Sequence, residues 1–192
     1  MNPITVAVLA LAVFIVFFTI MTYNRLVALR NQWKNAFAQI DVQLNRRYDL
    51  IPNLVETAKA FMAHERETLE AVIKARNQAH SALANVKGDG DVSKLVAAEG
   101  MLAKSMGSFM ALAESYPQLK SDVTMKTLME ELSSTENKVA FARQHYNDSI
   151  MDYNTARESF PANLISQPLG FSAAQPFVVE NAQARGAVRV SF

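Results

Sequence analysis

The side chains best suited to chemistry in this chain are its three histidines, and their spacing assembles no site. His64-Glu65 opens the His-Glu-x-x-His arrangement in which two imidazoles on one helical face hold zinc, but the closing position is Thr68. His64 therefore reads as a solvated helix residue. A di-iron bundle needs Glu-x-x-His pairs on facing helices. The residues three before His64, His80 and His145 are Phe61, Asn77 and Ala142, so none qualifies. Gly88 and Gly90 lack the following Gly-Lys-Ser/Thr that cradles phosphate, and Gly-x-Ser-x-Gly is absent. Without cysteine there is no disulfide, thiolate metal site or cysteine nucleophile. The expectation is a protein with no catalytic residues, no metal and no cofactor.

Beyond the histidines stands a set of polar residues where apolar ones would be expected. Asp41, Asn45, Asp49, Asn53 and Glu56 recur at intervals of three or four, with Arg46-Arg47 among them. Arg47 falls in the heptad row of Trp33, Ile40, Leu54 and Phe61, which is otherwise apolar. Later in the chain Glu131, Glu136, Asn137, Arg143 and Asn147 lie around a second apolar row. Two readings stay open. Asp41, Arg46, Arg47, Asp49, Asn53, Glu56, Glu136, Asn137, Arg143 and Asn147 form a cross-helix polar layer that fixes register, or they form a contact surface for another subunit or partner.

The elements that must position these residues are helices. Gly88-Asp89-Gly90-Asp91 and Tyr116-Pro117 mark turns, Ser121 or Asp122 is a candidate helix N-cap, and Phe160-Pro161 stops the last long segment. Between these marks the apolar residues keep helical spacing. Met125, Leu132, Val139, Tyr146, Tyr153 and Phe160 recur every seventh residue, with Leu128, Thr135, Ala142, Ser149 and Ala156 three places after them. Large residues in one row and mostly small ones in the other make a coiled-coil-like seam. The middle segment repeats the interval in Leu95, Leu102, Phe109 and Tyr116. The first does so in Phe37, Leu44, Ile51 and Ala58, and its seam continues through Val55, Met62 and Leu69. Three matching stripes predict an elongated, antiparallel bundle of three long helices. Pro52 lies inside the first and predicts a kink near residues 48–51.

Before the bundle comes a run with no charged side chain, residues 4–21, in which Thr5 and Thr19 are the polar members. Eighteen residues at 1.5 Å each span roughly 27 Å, close to the ~30 Å hydrocarbon core of a bilayer. A cleaved signal would show a basic n-region and a small-residue cleavage site, and the flanks show neither. The run therefore predicts a retained transmembrane helix in contact with lipid. Arg25, Arg30 and Lys34 follow it and nothing basic precedes it, which places the N-terminus outside and the C-terminal body in the cytoplasm. The expected organisation is an anchor at 1–22, a helical bundle at 23–160 and a C-terminal tail at 161–192.

The tail carries Glu180, Arg185 and Arg189 as its charges. With those set aside, 17 basic and 17 acidic residues remain, a balance that argues against nucleic acid. Leu164, Leu169, Phe171 and Phe177 make the tail too apolar to stand in water, so it is expected to dock on its own bundle or on a neighbouring copy, and these four are the candidate contacts that hold a homo-oligomer together. The alternation of Val188-Arg189-Val190-Ser191-Phe192 suggests a short added strand.

Long stretches of the chain resemble the LemA family. They are Tyr23-Asn24-Arg25-Leu26-Val27-x-Leu29-Arg30-Asn31, and Gln39-Ile40-Asp41-Val42-Gln43-Leu44-x-Arg46-Arg47-Tyr48-Asp49-Leu50-Ile51-Pro52-Asn53-Leu54-Val55-Glu56. Glu114-x-Tyr116-Pro117-x-Leu119-Lys120, Glu131-Leu132-x-x-Thr135-Glu136-Asn137, Ala142-Arg143-x-x-Tyr146-Asn147, Phe160-Pro161 and Leu169-Gly170-Phe171 are similar too. Asn35 and the Val178-Val179-Glu180 stretch depart from the pattern. The resemblance implies one N-terminal anchor, an all-α antiparallel bundle and no defined activity. It also implies an association with envelope stress and with membrane zinc metalloproteases. Together these observations predict a non-enzymatic scaffold of the bacterial inner membrane that associates into a large homo-oligomer. The alternative is an adaptor that binds a client or membrane protease through its polar helix face, and a ligand carrier with a site between helices is a third reading.

Overall fold

A computed structural model describes residues 2–86 and 92–178. The turn expected at Gly88-Asp89-Gly90-Asp91 and the strand expected at 188–192 lie outside the described residues. Most of the described residues are helical, with no strand among them: α1 (Pro3–Lys59), α2 (Arg66–Ala84), α3 (Ser93–Ala113), α4 (Pro117–Ser121), α5 (Val123–Glu158) and α6 (Asn163–Ser166). The apolar run and the first seam are one uninterrupted helix, α1, whose N-terminal part is long and apolar enough to cross a membrane. The chain forms two compact units, and α1 and α5 contribute to both.

The first unit holds residues 1–43 and 138–176. Its core is aromatic. Trp33 of α1 packs between Tyr146 and Tyr153 of α5, with ring centroids 6.2 and 6.4 Å away, and Phe37 lies 5.6 Å from Tyr146. Moving up α1 thus moves down α5, so the two helices run antiparallel. Beyond α6 the chain reverses at Gly170, whose φ of 77° lies in the left-handed region that glycine alone enters without strain. The Phe171 amide donates to the Ser166 carbonyl at 3.0 Å and the Gly170 amide to the Gln167 carbonyl at 3.1 Å, a Schellman motif. Phe171, the residue after the glycine, is buried edge-on against Tyr23 at 5.5 Å, with the Arg30 guanidinium 5.1 Å over its ring. That is the structural content of Leu169-Gly170-Phe171. The tail is then held to α5 by side chains. The Tyr153 and Tyr146 hydroxyls donate to the Ser172 and Gln175 carbonyls at 2.8 and 3.1 Å. Asn154 bonds both the amide and the carbonyl of Ala174, at 3.0 and 2.9 Å.

The second unit holds residues 44–137 with Phe177 and Val178. One expectation is corrected here. The first bundle segment is not one continuous helix, because residues 60–65 interrupt it and separate α1 from α2. Neither glycine nor proline marks the break. Met62 tucks into the core, its amide bonded to the Ala58 carbonyl at 2.9 Å, and the Tyr116 hydroxyl donates to Glu65 at 2.9 Å. Tertiary contacts here override the local helix propensity of Ala60, Met62, Ala63 and Glu65. α2 buries Leu69, Val72, Ala75, Ala79 and Leu83 and packs on α3, which buries Leu95, Leu102, Met106 and Phe109. Tyr116-Pro117 opens the short helix α4 with proline in its first turn. Asp122 caps α5, its carboxylate accepting the Met125 amide at 2.8 Å.

Pro52 sits within α1 without ending it. A proline frees the carbonyl four residues back, here that of Tyr48. Arg76 of α2 donates its Nε to that carbonyl at 2.9 Å, so the freed group is satisfied from a neighbouring helix.

Candidate functional site

The most unusual chemistry in the second unit is a buried charge cluster. Arg47 and Tyr48 come from α1 and Glu99 from α3, and all three are buried. Arg47 Nη1 donates to Glu99 Oε2 at 3.1 Å, and the Tyr48 hydroxyl donates to Glu99 Oε1 at 2.6 Å. Arg47 Nη2 lies 4.0 Å from the exposed Glu136 of α5, so one guanidinium bridges three helices. Arg47 Nε is buried with no hydrogen-bond partner. His80 of α2 stands edge-on to the Tyr48 ring at 5.8 Å. Removing two charges from water is costly unless they meet each other with good geometry, and this pair does.

Of the residues singled out from sequence, the cluster gathers Arg47 and Glu136. Arg46 pairs across helices with Glu131 at 4.0 Å, and Asp49 lies 3.8 Å from Arg76. Glu56 is exposed and pairs within its own helix with Lys59 at 2.7 Å. Asn53 and Asn137 are exposed, and Asp41, Arg143 and Asn147 are half-buried in the first unit. These polar residues are divided between the two units. Sequence reasoning missed Glu99, Tyr48 and Arg76. A signal for Glu99 was present: it lies four residues after Leu95 and three before Leu102, on the buried face of α3, where it is the single acidic residue.

Of the four tail residues, Phe171 and Phe177 are buried in their own chain, while Leu164 and Leu169 stay exposed. Burial on α5 pushes the Tyr146 hydroxyl up from 10.0 to about 12.

Two open grooves accompany these features. One of about 1040 Å³ in the second unit has Val55, Met62, Leu69 and Ile73 as its floor, with Lys59, Arg66, Glu70 and Lys74 on the rim. The other, about 590 Å³ in the first unit, runs between α1 and α5 past Ala38, Gln39, Val42, Phe141, Ala142 and His145. Its apolar walls stand in the open, with Val42 62% and Phe141 72% exposed. Among the described residues no group of three or more His, Cys, Asp or Glu could hold a metal ion.

Residues 36–192 match the LemA family. The chain belongs to that family. It is also similar to the magnetosome protein MamQ of Magnetospirillum gryphiswaldense, at 26% identity over 91% of this chain and 71% of that protein. Magnetosome proteins MamQ 1 and MamQ 2 of Paramagnetospirillum magneticum are 26% identical over 82% of this chain and 65% of their own length. This LemA family member is thus a helical protein whose first helix is a candidate membrane span.

Proposed function

We propose that the chain is a non-enzymatic scaffold, anchored in the inner membrane by its first helix, whose body associates with further copies of itself. Its N-terminus would face outward and its helical units the cytoplasm. The observation that supports it best is the groove between α1 and α5 flanked by Val42 and Phe141. Two large apolar side chains standing in water over a floor that includes Ala38 and Ala142 suit a self-complementary helix contact. In mild detergent, sedimentation should give a particle larger than one 21.3 kDa chain. The pair Val42→Ser and Phe141→Ser should reduce it to single chains with unchanged helicity. A wild-type chain that sediments alone at membrane-like concentrations would overturn the scaffold. A role in envelope stress or membrane-protein quality control rests on the family resemblance.

One observation favours an adaptor as a second reading. The 1040 Å³ groove lies beside Glu56, Lys59 and the end of α1, and its apolar floor with a charged rim suits an amphipathic helix of a client or a membrane protease. Ile73→Glu should then abolish cross-linking to that partner while particle size stays the same.

A further inference from the structure

Residues 159–179 carry no charge, and three large apolar side chains in their first part are left open: Phe160 is 79%, Leu164 65% and Leu169 43% exposed. Phe160 is the last member of the seventh-residue row of α5 and the one that leaves the core. Its position along α1 explains what it meets. Trp33 faces a point midway between Tyr146 and Tyr153. Both helices rise 1.5 Å per residue, so in this antiparallel pair Glu158, about eight residues further along α5, stands level with Arg25, eight residues back along α1. Arg25 is the first charge after the apolar run, and Glu158 the last before the uncharged stretch. The two helices thus lose their charges at the same height. The chain beyond Glu158, comprising the turn, α6 and Leu169, lies level with Tyr23 or nearer the apolar run, and the 5.5 Å Tyr23–Phe171 contact places the return of the chain there as well.

From this we infer that the turn between α5 and the tail is a second membrane contact, an apolar foot that rests Phe160, Leu164 and Leu169 in the headgroup and upper acyl region beside the transmembrane helix. The Schellman turn divides the segment by function. Gly170 sends Phe171 inward onto Tyr23 and Arg30, which fixes the foot to α1, while Phe160, Leu164 and Leu169 before it stay open. Phe and Leu on its open side, with no charge among them to desolvate, let this segment bury apolar area at the headgroup and acyl boundary, the quantity with which interfacial binding scales. Tyr23, 42% exposed at the same level, suits the headgroup belt. The foot would hold the first unit in a fixed orientation on the bilayer where a single helix alone would let it swivel. This inference requires the membrane span and does not require self-association.

The test uses the full chain, which has no native cysteine. Single variants Leu164→Cys, Leu169→Cys, Val13→Cys and Asp152→Cys are labelled with an environment-sensitive fluorophore. They are reconstituted at high lipid-to-protein ratio in phosphatidylethanolamine and phosphatidylglycerol vesicles, with or without nitroxide on the upper acyl chain. Labels at 164 and 169 should lose most of their emission to the lipid-borne nitroxide and resist aqueous iodide, as the label at 13 resists it, while the label at 152 behaves oppositely. Quenching of 164 and 169 by iodide would overturn the foot. Protection that disappears on dilution with lipid, without nitroxide quenching, would assign these residues to a second copy and overturn it too. An unquenched label at 13 would remove the bilayer, and the proposal with it.

Discussion

Arg47 offers the sharpest test of how the second unit is held together. Its guanidinium and the Glu99 carboxylate are 3.1 Å apart with side-chain exposures of 6% and 2%. At an effective dielectric of ~20 their attraction is about 5 kcal/mol, a gross figure from which the desolvation of both ions must be taken. Arg47→Ala takes from the buried Glu99 the guanidinium that lies 3.1 Å away. Stranding one partner of such a pair costs about 3–5 kcal/mol. For a chain of this size that lowers the thermal midpoint by about 6–20 °C. Tyr48→Phe removes one hydrogen bond to a charged acceptor and should cost about 1.5–3 kcal/mol. The combined Arg47→Met, Tyr48→Phe, Glu99→Leu chain should melt at or above the wild type, because both buried charges and the hydroxyl that bonds to one of them are removed together. Melting followed by circular dichroism on the detergent-solubilised chain reads all three, and sedimentation in parallel separates folding from association. A wild-type midpoint for Arg47→Ala would refute the reasoning, since a buried carboxylate that loses the guanidinium beside it is costly. So would a combined variant less stable than Arg47→Ala.

Arg76→Leu should cost about 1–3 kcal/mol by leaving the Tyr48 carbonyl unmet, and Pro52→Ala should restore much of that loss by returning a helical donor to it; equal effects of Arg76→Leu in both backgrounds in denaturant titrations would show the contact to be incidental. The Tyr146 hydroxyl is pushed up to about 12, so its protonated form is favoured in the fold. That stability is fully present below pH ~10 and is lost as pH climbs from about 10 to 12, and Tyr146→Phe should flatten this part of a stability-against-pH curve. Gly170→Ala should destabilise the tail by about 1–2 kcal/mol, because φ at 77° forces a side chain into the left-handed region, and hydrogen exchange at residues 171–175 should rise in response. For topology, Asn2→Cys should react with an impermeant thiol reagent in intact cells and Asp152→Cys should not, and the reverse labelling would invert the charge-based orientation.

Composition and periodicity alone reach far into this protein. An uncharged run that matches bilayer thickness needs no tertiary information, because the constraint is local and repeated. The heptad rows hold for the same reason: Met125, Leu132, Val139, Tyr146 and Tyr153 are all buried, as are Leu95, Leu102 and Phe109. A side chain on a continuous helix inherits its direction from the residue seven before it. That inheritance fails where the helix fails. Phe160 keeps the interval and is exposed, because α5 ends at Glu158 and the phase ends with it. The interruption at 60–65 was equally invisible, since no breaker marks it and Met62 and the Glu65–Tyr116 contact decide it from a distance.

The candidate site divides in the same way. The misplaced Arg47 was legible in sequence because a cation in an apolar row demands an anion. Which anion answers it was not, since Glu99 lies 52 residues away on another helix and only packing brings it within 3.1 Å. The Pro52 carbonyl defect was likewise readable, whereas Arg76 as its remedy was not. The apolar tail announced that it must be covered. Only the tertiary structure decided which parts are covered by its own chain, at Phe171 and Phe177, and which are left open, at Leu164 and Leu169. Local sequence fixes what each segment needs, and chain topology determines which distant group supplies it.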